Sequence, residues 1–237
     1  MKKLSSIIIL ILSGIFLVQA QESLLWDYPV KPGTEEWKKF KTKKQMVEAC
    51  QIPPEILKNI STPDLVTICI NYPLFNDYIA YNDERMGVNA IIESINGFIA
   101  LAQREDAVKE LIRRYSDFPI LEKIQKEPAS KDYHIPYKLP FIELILSNNE
   151  FLGKFDCTKL EELRMIALKK YEDKLKNIEV YSLFNIKKTM LLLATIIDRQ
   201  NSPKLSPEQK DMITSFIKHY NHCSYDLLTE ISKIIIL

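Results

Sequence analysis

Apolar residues recur every three or four positions along most of the chain, and proline punctuates the recurrence more often than glycine does. The stretch from Ala49 to Tyr81, ACQIPPEILKNISTPDLVTICINYPLFNDYIAY, shows this most plainly. Ser61 or Thr62 offers a hydroxyl to cap a helix. Pro63 suits the first helical position, where its missing N–H costs nothing, and Asp64 lies near the positive end of the dipole. Leu65, Ile68, Cys69 and Tyr72 then share one face until Pro73 turns the residue before it away from helical geometry. Pro53 and Pro54 open a shorter turn through Ile56 and Leu57, and Leu74, Phe75, Tyr78 and Ile79 form one more. Helices this short are unstable alone in water, so the pattern predicts several that depend on packing against one another.

On the N-terminal side, QESLLWDYPVKPG over residues 21–33 reads as an extended arm, because two prolines forbid a helix through it. Trp26 and Tyr28 are expected to pin this arm to the body, and they are also the candidate aromatic contacts for a partner. Thr34 can cap a helix through Trp37 and Phe40, and Thr42 with Gln45 makes a capping-box pattern; two turns or one kinked helix satisfy both. Farther on, Val88, Ile91, Ile92, Ile95, Phe98, Ile99 and Ala102 predict one amphipathic helix. Ala107, Val108, Leu111, Ile112 and Tyr115 predict a second, out of phase with the first. A break near Glu105 and Asp106 would make them an antiparallel hairpin, with Gly97 at a close helix contact.

The least helical interior segment is 116–140, with Pro119, Pro128, Pro136, Pro140 and a polar cluster around Lys126 to Asp132. A short helix over Ile120–Gln125 fits within it and the rest reads as loop. Tyr133, His134 and Tyr137 gather aromatic and polar groups there, next to Phe141, and stand as candidate binding residues. Beyond it come Phe141 to Leu152, apolar nearly throughout, and a long helix striped by Leu160, Leu163, Ala167, Tyr171 and Leu175. The run MLLLATII from Met190 to Ile197 is apolar on all sides and by itself too short for a membrane span. Ser206 to Gln209 form a capping box that launches Met212, Ile213, Phe216, Ile217 and Tyr220, and Leu227 to Ile235 close the chain. No strand alternation persists. The expected fold is all-α, an irregular stack of antiparallel helical hairpins, α-solenoid-like or an α–α superhelix. Residues 34–237 form one helical domain behind the arm, and any subdivision falls at 116–140.

The first 20 residues add an address. Lys2 and Lys3 precede the apolar run Ile7–Val18, and Val18 and Ala20 supply small residues at a cleavage site, the pattern of a signal peptide cut after Ala20. The mature protein is expected to be exported, periplasmic or secreted, with no transmembrane helix left. Losing two lysines turns the near-even balance of 32 basic and 31 acidic side chains slightly negative, which argues against nucleic acid as a partner. The basic run Lys38, Lys39, Lys41, Lys43, Lys44 reads as a solvated helix face.

Candidate chemistry is sparse. Only 5 glycines occur, so no phosphate-cradling loop or dinucleotide fingerprint is present, and neither a Gly-x-Ser-x-Gly elbow nor a His-Glu-x-x-His pair appears. Export permits disulfides among the 4 cysteines, and Cys50 with Cys69 is the pair the sequence favours. His219, His222 and Cys223 are the one cluster with zinc-type donors. His222 and Cys223 are adjacent, however, so on a helix they point about 100° apart. His134 paired with Cys223 would be the other arrangement able to carry hydrolysis. No cofactor is implied.

The segment WDYPVKPGTEEW from Trp26 to Trp37 resembles a recurring family of secreted bacterial helical proteins. So do ACQIP at Ala49–Pro53, Ser61, Thr62, Asp64 and Leu65, Cys69, YPL at Tyr72–Leu74, and Glu110, Leu111 and Tyr115. The resemblance implies one structural unit from Trp26 to Tyr115 and brings no activity, so no functional residue carries over. The missing catalytic motifs favour a non-catalytic module that binds a protein, peptide or envelope component. The alternative is a metal-dependent or Cys/His hydrolase built on His219, His222 and Cys223.

Overall fold

A computed structural model describes residues 26–119, 135–201 and 203–237, with side chains from Lys138 onward in the second segment. The expected signal peptide, residues 21–25 of the arm, the expected short helix at 120–125, Tyr133, His134 and the side chain of Tyr137 lie outside the described residues.

The chain is all-α, and no strand forms among the described residues. After the arm come α1 (Glu35–Lys38), α2 (Lys43–Ala49), α3 (Pro54–Asn59), α4 (Thr62–Ile70) and a 3₁₀ turn at Phe75–Ala80. Then follow α5 (Glu84–Ser94), α6 (Asn96–Gln103), α7 (Ala107–Asp117), α8 (Ile135–Leu146) and α9 (Asn149–Leu152). The C-terminal part holds α10 (Cys157–Lys176), α11 (Ile178–Gln200), α12 (Pro207–Lys218), a 3₁₀ turn at Tyr220–His222 and α13 (Tyr225–Ile234).

Local chemistry sets the helix starts. Ser61 Oγ accepts from the Asp64 N–H at 3.2 Å, so Thr62 is the first helical residue and Pro63 the second, one place later than the sequence pattern suggests. Either position lies in the first turn, where a proline removes no hydrogen bond. The Thr42–Gln45 and Ser206–Gln209 capping boxes are both formed, and α1 and α2 are separate helices.

Three expectations need correction. The helix from Val88 to Ala102 is two helices, because Ile95 is extended (φ −104°, ψ 118°) while its side chain is fully buried. The break is held by two amide side chains. Asn96 Oδ1 accepts from Ile52 N–H at 2.9 Å, Asn96 Nδ2 donates to Ile52 C=O at 2.8 Å, and Gln51 Oε1 accepts from Asn96 N–H at 2.9 Å. The Gln51 bond satisfies the Asn96 N–H, which a continuous helix would have paired internally, while the Asn96 side chain satisfies both backbone groups of Ile52.

Second, helix α8 begins inside the segment read as loop and contains Pro140. An interior proline costs about 3 kcal/mol. Leu139, Phe141, Ile142 and Ile145 are all fully buried, and each stabilises by about 1.5–3 kcal/mol, so burial outweighs the proline. Third, the stripe on α10 drifts: Leu175 is 44% exposed and Lys174 takes the buried position.

The α10–α11 hairpin carries the most extensive helix packing, and Leu191 to Ala194 of α11 are completely buried. Phe141 sits at the junction of the halves, 5.7 Å from the rings of both Phe75 and Tyr78 and 6.2 Å from Phe98. Among the described residues α11 is the one helix long and apolar enough to cross a membrane, and 67% of its apolar window is buried inside the protein. The run Met190–Ile197 is thus the C-terminal part of a longer core helix.

Candidate functional site

The arm and α4 build the first cleft. Tyr28 is buried and its hydroxyl donates to the Ile68 carbonyl at 3.1 Å, which fixes the arm on the outer face of α4. The Trp26 ring lies edge-on to Tyr28 at 5.0 Å, and Tyr28 lies 6.4 Å from Tyr72. An ion pair between Lys31 and Asp27, then Gly33 at φ +93°, turn the chain into α1. The result is a cleft of about 700 Å³ with Trp26, Tyr72 and Phe75 as its aromatic surface and Asn71, Asn76 and Lys138 as polar groups. Lys138 Nζ donates to Asn71 Oδ1 at 3.0 Å across it. Burial pushes the Tyr28 and Tyr72 hydroxyls well above their usual range, so both stay protonated donors. Of the binding residues expected from sequence, the structure brings Trp26 and Tyr28 together.

Two cysteines lie behind this wall. Cys50 and Cys69 are both buried free thiols, and the disulfide favoured from sequence is not formed. Burial pushes the Cys50 thiol up to about 11 and the Cys69 thiol higher still, which withholds the thiolate.

The histidine cluster does not assemble. His219 ends α12 as its C-cap, His222 sits on the following 3₁₀ turn with its ring exposed, and Cys223 Sγ donates to the Tyr220 carbonyl at 3.2 Å. Among the described residues no three His, Cys, Asp or Glu side chains converge as metal ligands.

What sequence reasoning missed is a buried ionic network between the helices. Glu143 of α8 is fully buried; its Oε2 accepts from Lys174 at 2.7 Å, while its Oε1 accepts from Thr189 at 2.9 Å and from Tyr115 at 3.0 Å. Next to it, Lys188 of α11 meets Glu84 Oε2 at 2.9 Å, and the Tyr220 hydroxyl approaches the same oxygen at 3.5 Å. Glu84 Oε1 is buried without a partner. Lys170 caps α7, donating to the Phe118 carbonyl at 3.0 Å. Desolvation lowers Lys174, and it lowers Lys170 and Lys188 to about 8 against the opposing pull of Glu143 and Glu84 respectively. This network ties α5, α7, α8, α10 and α11 together and touches no cleft described here. The available signal was a glutamate inside the apolar run FIELIL and two lysines four apart on the inner face of α10.

Compared with known proteins, the chain matches no family model, no curated protein and no solved structure.

Proposed function

We propose that the protein is an exported, non-catalytic binding module whose partner, a protein, peptide or envelope component, seats in the cleft between the arm and α4. The observation that carries this reading is the geometry of Trp26. The ring is half-buried against the anchored Tyr28 and forms one wall of an aromatic cleft that also offers Asn71, Asn76 and Lys138. Rigid aromatic surface beside a few polar groups is what recognition sites use. Cys50 and Cys69 are buried thiols, and among the described residues His219, His222 and Cys223 do not gather into a metal site, which supports binding over hydrolysis. Export rests on the Met1–Ala20 pattern, and α11 is read as a core helix because its apolar window is mostly covered.

A photo-crosslinking side chain at the exposed rim position Asn76, in the protein exported by its own signal, tests this reading. The expected result is one dominant crosslinked species that disappears with Trp26→Ala and is absent when the probe sits at the remote, exposed Thr229. Crosslinking that ignores Trp26→Ala would overturn it. So would a native mass showing zinc that is lost with His222→Ala.

A further inference from the structure

A second cleft, of about 510 Å³, opens between α5, α6, α8, α9 and α11. Its floor is aliphatic: Ile92, Leu144 and Leu191 are almost completely buried, and Ile99 stands 44% exposed on one wall. Its rim is made of amides and acids. Asn148 caps α9 through the Glu150 N–H at 2.8 Å and donates to Asn89 Oδ1 at 2.5 Å. Among the described residues the exposed side-chain amides of Gln103 and Asn149 have no partner, and neither do the exposed carboxylates of Glu93 and Glu150.

The lining selects among ligand classes. No aromatic ring among the described residues lines this cleft, so a sugar ring or a nucleobase would find no stacking surface in it. Arg85 lines it, but its guanidinium is already engaged by Asp83 at 2.5 Å and by the Ile217 carbonyl at 2.5 Å, and Lys154 at its edge is held by the Ala102 carbonyl. Among the described residues a phosphate or carboxylate would therefore meet two unpaired glutamates and no free cation. Side-chain amides present a donor and an acceptor at once, matching the alternating N–H and C=O of an extended backbone. Two unpaired carboxylates complement a positive side chain.

We propose that this cleft binds an extended peptide segment, with an aliphatic side chain on Ile92, Leu144 and Leu191 and a lysine or arginine paired with Glu93 or Glu150. The site is separate from the cleft under the arm, so either can fail without the other.

The test is a titration with a pool of capped pentapeptides, each carrying one Leu, Ile or Val and one Lys or Arg among alanines and glycines. It is followed by NMR through the side-chain amide signals of Asn89, Gln103 and Asn149, with Trp26 indole as reference. The expected result is saturable shifts of the three amides, an unmoved indole, and affinity weakened about tenfold in the Glu93→Gln, Glu150→Gln variant. Both glutamates are exposed, so this variant keeps the fold. Four outcomes would overturn the proposal: no amide shift, equal binding of a pool with Glu in place of Lys and Arg, shifts confined to Trp26, or amide shifts with chito-oligosaccharides instead of peptides.

Discussion

Lys174 Nζ lies 2.7 Å from Glu143 Oε2, and neither side chain has more than 1% of its surface in contact with solvent. Thr189 and Tyr115 complete the shell of Glu143, while Thr189 and the Asn185 carbonyl also receive hydrogen bonds from Lys174. Such a pair contributes little net stability against apolar residues of the same shape, but removing one partner leaves the other charge uncompensated. Glu143→Leu and Lys174→Met should each lose about 3–5 kcal/mol, and the double variant should recover at least half of the summed loss. Urea unfolding of the four proteins measures the coupling directly. Simple additivity would mean that the two charges are independent.

The second pair, Lys188 with Glu84, makes a pH prediction. Burial lowers Lys188 from 10.5 to about 8 in the folded chain. Below pH 8 both states hold the proton and the penalty for the buried ammonium is constant. Between about 8 and 10.5 the unfolded chain binds more protons than the folded one, so stability rises with pH. The reference is the Glu84→Gln, Lys188→Met variant, which lacks both groups but keeps Lys170. Relative to it, the wild type should gain up to about 1.4 kcal/mol per pH unit across that window. Chemical denaturation from pH 7.5 to 10.5 provides the curve. A gap that moves the other way would show that Glu84 holds the proton on Lys188 and that the pair is a net stabiliser.

Helix α11 contains one strained residue. Ser182 sits at φ 57°, ψ 160°, a region that only glycine adopts freely, and the helix runs on either side of it. The turn before it is fixed by the fully buried Tyr181, and the turn after it by Ile186 and Lys188. Strain of this kind costs about 1–3 kcal/mol, against about 0.5–1 kcal/mol for the extra freedom of an unfolded glycine. Ser182→Gly should therefore raise stability by about 1 kcal/mol and increase the melting temperature by a few degrees. A drop in melting temperature would mean that the Ser182 side chain supports the kink rather than suffering it.

These sites differ in how far the sequence announces them. Caps at Thr42, Ser61 and Ser206 are local, three residues from the N–H they satisfy, and the pattern shows them directly. Tyr28 was legible as an anchor because an aromatic on a proline-bounded arm has little else to do. The break at Ile95 was not legible. The amide that holds it open, Gln51, is 45 residues away, while the local pattern of Val88 to Ala102 is a clean helix stripe. Glu143 was missed for the same reason, since Lys174 and Thr189 approach from 31 and 46 residues away. Lys174, four residues after the buried Lys170, continues the inner stripe of α10 and meets Glu143 there, while Leu175 falls outside it. Periodicity registers hydrophobicity and cannot register a charge whose partner lies on another helix.

Two glycines turn this reading into a ranking. A Cβ on Gly87 would lie 2.6 Å from Tyr78 Cα and 2.7 Å from Tyr78 O, against backbone that cannot swing aside. A Cβ on Gly97 would instead meet the tip of Ile52 at 2.8 Å and Cys69 Sγ at 3.3 Å, where Ile52 can change rotamer. Both positions are helical, so alanine gains up to about 1 kcal/mol of propensity at each. At Gly87 that gain is outweighed, because pushing the 3₁₀ turn away separates Tyr78 from Phe141, now stacked at 5.7 Å in the core. Gly87→Ala should cost about 1–3 kcal/mol, and Gly97→Ala should cost less. Thermal melts of the two variants decide the order. If Gly97→Ala is the more damaging, the packing of α6 on α4 is the stiffer contact and α5 can yield where it meets the Phe75–Ala80 turn.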